Sequence, residues 1–380
     1  MLFRWSQLIL AVVSLAPCYA DGLQADTAQL AGHLKLLRAH RIVQMPAGEF
    51  DSTQRRFLTW IESRIGKGFT VQQMNAELAS AQLLSDGPHT VDDMFDKDYV
   101  GFVGEVEDVD LHLERGLFAI KFGIHTGSYC NFDETLVLYA RDPMRRLAKI
   151  NAAQPHRHGH HLREAAVGKD VPNRGRLIAS AWVASNCTSN WNGNIFRIDR
   201  QRGQILESVF HKGVDSYLDD RLRISTEGDT VTFHYTSSDG DASVLIREAI
   251  ARYRIRHGRA VRQAPLAPSF GGFIDEWLVL GENDVPRWSA RAAIAQHRAL
   301  VARLKKGSFS WKYAADCAGA VLAREIGIRW DDSGRITVFR ISGSSAAELR
   351  MLSVSDSFTP GCREIDLSSG LDSILAEPAR

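Results

Sequence analysis

Histidines concentrate in one short stretch, His156-Arg157-His158-Gly159-His160-His161. Neutral imidazoles two and four residues apart converge on a transition-metal ion, and zinc and copper suit imidazole ligands. Against a metal site, nearby arginines repel a cation, so a solvated basic loop is the competing interpretation. Zinc or copper is the only cofactor that the sequence suggests, and its predicted ligands are His156, His158, His160 and His161.

Two pairs of adjacent acids are the residues suited to acid–base chemistry, Asp133-Glu134 and Asp275-Glu276. Hydrolysis of a glycoside needs two carboxylates about 5 to 10 Å apart across the scissile bond. Adjacent residues of a strand point to opposite faces, so neither pair is sufficient alone. Turn hydrogen bonding, or acids in the first turns of a helix, is the competing interpretation. His297 is a third acid–base candidate, although its spacing predicts a core-facing helical residue.

The segment Asn190-Trp191-Asn192-Gly193-Asn194 is a candidate binding site. It predicts a turn, because Asn-Gly favours positive φ. An exposed tryptophan in such a turn stacks on a sugar or on a protein partner. The binding candidates are therefore Trp191, Asn192 and Asn194.

The first twenty residues predict a secretory signal, with Arg4, an apolar stretch and the cleavage pattern Cys18-Tyr19-Ala20. Four cysteines follow, and an even number in an exported chain predicts disulfides. Four cysteines allow three pairings, of which we favour Cys130–Cys187 and Cys317–Cys362. The sequence thus predicts a secreted or periplasmic protein.

Charge and hydropathy narrow the range of partners. Without Arg4 the chain carries equal numbers of acidic and basic side chains, so no global field attracts nucleic acid or an anionic membrane. After signal cleavage no apolar run is long enough for an integral membrane segment. The partner expected is a protein or a glycan.

Helical periodicity predicts an N-terminal helical segment over residues 21–98 and a helical insertion over residues 269–306. Thr70 and Gln73 form the pattern of a capping box at the start of one helix. The apolar stripes of the N-terminal segment are Leu30-Leu34-Leu37, Phe57-Ile61-Ile65 and Val71-Met74-Leu78.

From Tyr99 the period changes to two, and one strand-turn-strand unit recurs about every 50 to 60 residues. Predicted first strands are 118–124, 177–183 and 231–235, second strands 136–139, 194–198 and 249–255, and third strands 147–150, 205–210 and 259–263. A fourth copy is predicted at 326–330, 336–341 and 350–354. The fold predicted is mainly β, with repeated antiparallel sheets of propeller-like or sandwich-like type.

These patterns predict a signal peptide at 1–20, a helical segment at 21–98, a repeated β domain at 99–268, a helical insertion at 269–306 and a C-terminal β segment at 307–380. Signatures for a phosphate loop, a dinucleotide site or a nucleophile elbow are missing. A non-catalytic, exported binding protein is therefore expected. A secreted hydrolase with a carboxylate-based site and metal capture by the histidine loop are the alternatives.

Overall fold

The structure is a computed structural model, which describes most of the chain after residue 24. The described ranges are 25–40, 45–84, 100–125, 132–152, 160–184, 191–217, 222–238, 246–267, 269–304, 309–316, 323–330 and 333–366. The predicted signal and several predicted site residues lie outside them, namely His156, His158, Cys130, Cys187 and Cys317.

The N-terminal segment forms three helices: α1 at 25–39, α2 at Ala47–Gly66 and α3 at Val71–Ser80. All three predicted apolar stripes pack into one core. The capping box is confirmed, because Thr70 accepts from the backbone N–H of Gln73 and the Gln73 side chain accepts from Thr70. Buried Arg64 joins the helices through ion pairs to Glu77 and Asp26.

The rest of the chain is dominated by four antiparallel sheets, so the predicted fold class is confirmed. The first sheet contains β1 (Glu107–Asp108), β2 (Leu117–His125), β3 (Phe132–Arg141) and β4 (Met144–Asn151). The second contains β5 (His160–Val167), β6 (Arg176–Ala184), β7 (Trp191–Arg202) and β8 (Ile205–Tyr217). The third contains β9 (Arg223–Glu227), β10 (Thr230–Ser238), β11 (Ile246–Arg256) and β12 (Arg259–Arg262).

The fourth sheet contains β13 (Phe309–Asp316), β14 (Ala323–Trp330), β15 (Ile336–Ser342), β16 (Arg350–Ser355) and β17 (Arg363–Asp366). In the first three sheets every strand neighbours the next one in the sequence. This strand order is a meander, an order that propeller blades also have, and it lacks the crossover of a Greek key. The fourth sheet adds β17 beside β13.

All twelve predicted strands are confirmed, but each sheet has an additional first strand that the sequence pattern did not reveal. The interpretation of residues 156–161 as a solvated basic loop is wrong for His160 and His161, which begin β5 because acidic side chains of β3 hold the start of that strand. The predicted turn at 190–194 is also wrong: pairing with β6 carries β7 back to Trp191.

The predicted helical insertion consists of α4 (Phe270–Leu278), a short 3-10 helix (Val285–Trp288) and α5 (Arg291–Leu304). Ser269 caps α4 by accepting from the backbone N–H of Gly272. Trp277 and the aliphatic face of the fourth sheet share one core. None of the described helices is long and apolar enough to cross a membrane.

The described residues fall into two compact units. The first comprises residues up to Arg176 with Ser180–Ile195 and Arg200–Glu207. The second comprises Leu177–Ala179, Phe196–Asp199 and the chain from Ser208 onwards. The first unit therefore holds the helical segment with the first sheet, and the second holds the third and fourth sheets with the insertion.

Candidate functional site

Two candidates that are distant in the sequence meet in the first unit. Buried Asp133, near the start of β3, accepts a hydrogen bond of 2.9 Å from the backbone N–H of His160. The imidazole Nδ1 of His160 lies 3.3 Å from the same carboxylate oxygen. The structure thus brings one acid of the first predicted pair against one histidine of the predicted metal site.

The second acid of that pair, Glu134, anchors the same strand. Its carboxylate accepts from the backbone N–H of Leu162 at 2.6 Å and lies 3.6 Å from Nδ1 of His161. The ammonium group of Lys121 is 3.1 Å from Glu134 and 3.3 Å from Glu107. We call Asp133, Glu134, Lys121, His160 and His161 the histidine–carboxylate cluster, in which every carboxylate faces a positive or hydrogen-bonding group.

The electrostatics of this cluster oppose a role for Glu134 as a catalytic acid. Burial alone would raise the pKa of Glu134, but the hydrogen bond from His161 and the charge of Lys121 hold it below its usual value. A general acid for glycoside hydrolysis needs a raised pKa. Burial and the nearby His161 lower the pKa of His125 to about 4, which keeps His125 neutral near pH 7.

The metal prediction is only partly covered by the structure. His160 and His161 turn their Nδ1 atoms to Asp133 and Glu134, while His156 and His158 lie outside the described residues. The described residues contain no group of three or more ligating side chains with the geometry of a metal site. Zinc or copper binding by the histidine loop therefore stays a prediction.

In the second acidic pair, Glu276 makes structural contacts within the second unit. Glu276 accepts a hydrogen bond of 2.8 Å from the buried hydroxyl of Tyr235 and lies 3.9 Å from the Arg262 guanidinium. The prediction that Asp275 and Glu276 occupy the first turns of a helix is wrong, because the first turn of α4 begins at Phe270 and holds no acid. Buried His297 accords with its predicted core position: its Nε2 lies 2.9 Å from the Trp277 carbonyl oxygen.

The remaining predicted residues are only partly described. Asn194 is buried in β7, in the same strand as Trp191 and Asn192. Cys362 is disulfide-bonded and its sulfur lies 3.6 Å from Glu325, a contact without a donated proton. The favoured cysteine pairings stay predictions, because the other three cysteines lie outside the described residues.

A different kind of site covers the outward face of the third sheet. Arg252, Arg254 and Arg256 occupy alternate positions of β11, so their side chains leave the same face about 6.8 Å apart. The register places Arg259 of β12 directly opposite Arg256, and Arg223 of β9 opposite His234. All five arginines are exposed. We call this surface, formed by Arg223, Arg252, Arg254, Arg256 and Arg259, the arginine face.

The charges of the arginine face are not balanced by acids. Two acids share this face with the five arginines: Glu227, two strands away from Arg254, and Glu248, four residues before Arg252 on β11. None of the described carboxylates forms an ion pair with Arg254, Arg256 or Arg259. Like charges directly opposite one another destabilise a sheet, so the exposed Arg256–Arg259 pair lowers the stability of the β11–β12 hairpin.

The ends of this face have distinct shapes. At one end a hollow of about 510 Å³ is lined by residues that include Arg223, His234 and Ile250. At the other, the β11–β12 turn holds exposed His257 at a φ of 50°, a conformation that non-glycine residues seldom adopt. A linear ligand that follows β11 from Arg252 to Arg256 would meet a positive charge at every second residue.

The sequence carries a signal for this face that motif analysis missed. Arg252-Tyr253-Arg254-Ile255-Arg256 alternates charged and apolar residues, which is the pattern of a strand with one buried and one charged face. Because the chain as a whole is close to neutral, its net charge gives no indication of this local excess of arginine. No family model matches the sequence, and no curated protein shows significant similarity to it. The site must therefore be interpreted from its own chemistry.

Proposed function

We propose that this chain is an exported, non-catalytic binding protein whose arginine face recognises an acidic polysaccharide. Guanidinium groups bind carboxylate and sulfate oxygens in a bidentate manner, and they keep their charge at every physiological pH. The observation that supports the proposal is the unbalanced row Arg252, Arg254 and Arg256, with Arg259 beside it.

The composition of the face favours a polysaccharide over nucleic acid or a membrane. The residues that the register places there include Thr230, Thr232 and Ser225 but no Phe, Tyr or Trp among the described positions of β9–β12. Single-stranded nucleic acid is bound largely by aromatic stacking, and membrane docking requires exposed apolar side chains. Hydroxyl groups between arginines suit a ligand that has both sugar hydroxyls and charges.

The test uses the full chain and three immobilised ligands: heparin and polygalacturonate as acidic glycans, and neutral dextran. The variant Arg252→Glu/Arg254→Glu/Arg256→Glu is expected to weaken binding to an acidic glycan at least about tenfold. Added salt weakens the wild-type interaction because the contacts are exposed. Surface plasmon resonance measures both effects, and circular dichroism verifies that the variant is folded.

A control variant separates site-specific binding from net charge. Arg115→Glu/Lys169→Glu/Arg291→Glu makes the same change in net charge at exposed residues that are not part of the face. This control is expected to retain most of the affinity. Equal losses in both variants, or binding of single-stranded DNA as tight as that of the glycans, would overturn the proposal.

The contact between Asp133 and His160 favours one alternative, a secreted hydrolase in which Asp133 orients a histidine base. The lowered pKa of Glu134 argues against a glycosidase acid at this place. Assays with nitrophenyl glycosides and esters decide the matter: turnover by the wild type that His160→Ala abolishes would establish the hydrolase.

A further inference from the structure

A cleft of about 850 Å³ lies in the first unit between α2 and β4. Arg55 and Glu62 of α2 form one wall, and Arg145, Arg146 and Lys149 of β4 form another. Beneath them lies buried Tyr139. The cleft does not share a residue with the arginine face, so it is an independent site.

A β-bulge directs two of these cations to the same side of the strand. Tyr139 pairs with Arg146 and Val137 pairs with Lys149, with a shift of register between the two pairs. Because residues opposite one another share a face, Arg146 and Lys149 both lie on the face of Val137 and Tyr139. In a regular strand residues three apart would point to opposite sides. The bulge thus concentrates positive charge in the cleft.

Most of that charge has no carboxylate partner. Arg146 pairs with Glu62 at 3.1 Å, and the Tyr139 hydroxyl donates to the same carboxylate at 3.4 Å. Lys149 donates instead to the amide oxygen of Gln54 at 2.7 Å. Burial and the repulsion of Arg146 lower the pKa of Lys149. Among the described residues, no acid forms an ion pair with Arg55, Arg145 or Lys149.

The same cleft presents an open sheet edge. β4 is the last strand of its sheet, so every second residue directs its N–H and C=O away from β3. Met144, Arg145 and Arg146 are exposed at this edge. Apolar side chains lie at the rim, since Met144 is 37% exposed and Ile205, between the lining residues Gln204 and Leu206, is 72% exposed.

We propose that this cleft binds an extended acidic segment of a partner protein, which pairs with β4 as an added strand. Edge pairing supplies backbone hydrogen bonds, and the acidic side chains, which alternate to one face of the added strand, lie beside Arg146 and Lys149 on the face that those two residues share. Negative charge on the segment complements the three unmatched cations. A second copy of this chain is a poorer occupant, because antiparallel self-pairing over the length of β4 would set Arg146 against Lys149, two like charges.

The test measures fluorescence anisotropy of a labelled, end-blocked peptide with four Glu-Val repeats. This peptide is expected to bind at least about tenfold more tightly than its Lys-Val counterpart, because the cleft is cationic. N-methylation of alternate backbone nitrogens is expected to cause a loss of the same size. Equal binding of the methylated peptide would overturn pairing with the strand edge.

Variants locate the binding and separate it from glycan recognition. Arg145→Glu/Lys149→Gln is expected to weaken peptide binding at least about tenfold. The single variant Arg145→Glu changes an exposed residue and is therefore expected to fold normally. It is also expected to weaken peptide binding. The arginine-face triple variant should retain peptide affinity, whereas Arg145→Glu should retain glycan affinity. Peptide binding that follows the arginine face, or a dimer detected by light scattering that Arg145→Glu disrupts, would overturn the proposal.

Discussion

The histidine–carboxylate cluster and the arginine face are both rich in charge, but the charges are buried and paired in the cluster and exposed on the arginine face. In the cluster, Asp133 and Glu134 are buried, and each contacts a backbone N–H and an imidazole. On the arginine face, Arg254, Arg256 and Arg259 point to solvent and contact no described carboxylate. The first arrangement binds strands to one another, and the second leaves its charges available to a ligand.

In this protein, unmatched charge therefore marks a candidate binding surface more clearly than catalytic residue types do. A buried, fully matched cluster costs desolvation energy that its own contacts offset, so it supports the fold. Exposed like charges repel one another and lower the stability of the free protein. A bound ligand of opposite charge removes that repulsion.

The largest expected effect concerns Glu134. Glu134→Ala removes the acceptor for the Leu162 N–H and a partner of Lys121, so we expect the free energy of unfolding to fall by about 3 kcal/mol. Glu134→Gln keeps an acceptor oxygen and is expected to lose roughly half as much. Urea unfolding followed by circular dichroism measures both, with Arg254→Ala as the exposed control. A loss from Arg254→Ala as large as from Glu134→Ala would contradict the comparison.

A smaller effect is expected from pH, through His125. Its folded pKa of about 4 lies below the unfolded value near 6.5, so the unfolded chain binds a proton first as pH falls. Stability is therefore complete well above pH 6.5 and declines as pH falls, by about 2.5 kcal/mol at pH 4.5. His125→Gln should flatten that decline, whereas exposed His257→Gln should not. The measurement is the urea midpoint at pH 7, 6, 5 and 4.5, and an unchanged slope in His125→Gln would refute it.

The smallest effect separates stability from binding on the arginine face. Arg259→Glu places opposite charges across from each other at Arg256, which should raise the free energy of unfolding by about 0.5 kcal/mol. The same change should weaken binding of heparin. Thermal unfolding and surface plasmon resonance of one protein preparation measure the two results. A variant that is both less stable and equally tight in binding would show that the like-charge pair has no functional meaning.

The helices and the strands with a buried apolar face could be predicted because their periodicity is local. Strands β5 and β9 could not be predicted in this way. β9 is short and mostly exposed, and β5 is fixed by Asp133 and Glu134, which lie about 27 residues earlier. An attachment of this kind depends on tertiary contacts that no short window of sequence contains.

The candidate sites divide in the same way. The arginines at 252, 254 and 256 are predictable from alternation alone, but Arg259 joins them only through the register of β11 and β12. The meeting of Asp133 with His160 depends on how β5 docks, which the sequence does not express. In the cleft, a single bulge decides that Arg146 and Lys149 share a face, and their spacing alone suggests the opposite.

The position of β17 beside β13 has a consequence for how the protein forms. In the first three sheets each strand finds its neighbour soon after it is synthesised, so assembly can proceed as the chain emerges. The fourth sheet must wait, with one flank of β13 open, until Arg363–Asp366 arrives. A chain that stops before Arg363 would keep that flank available to other chains, and it should aggregate more readily than the intact protein.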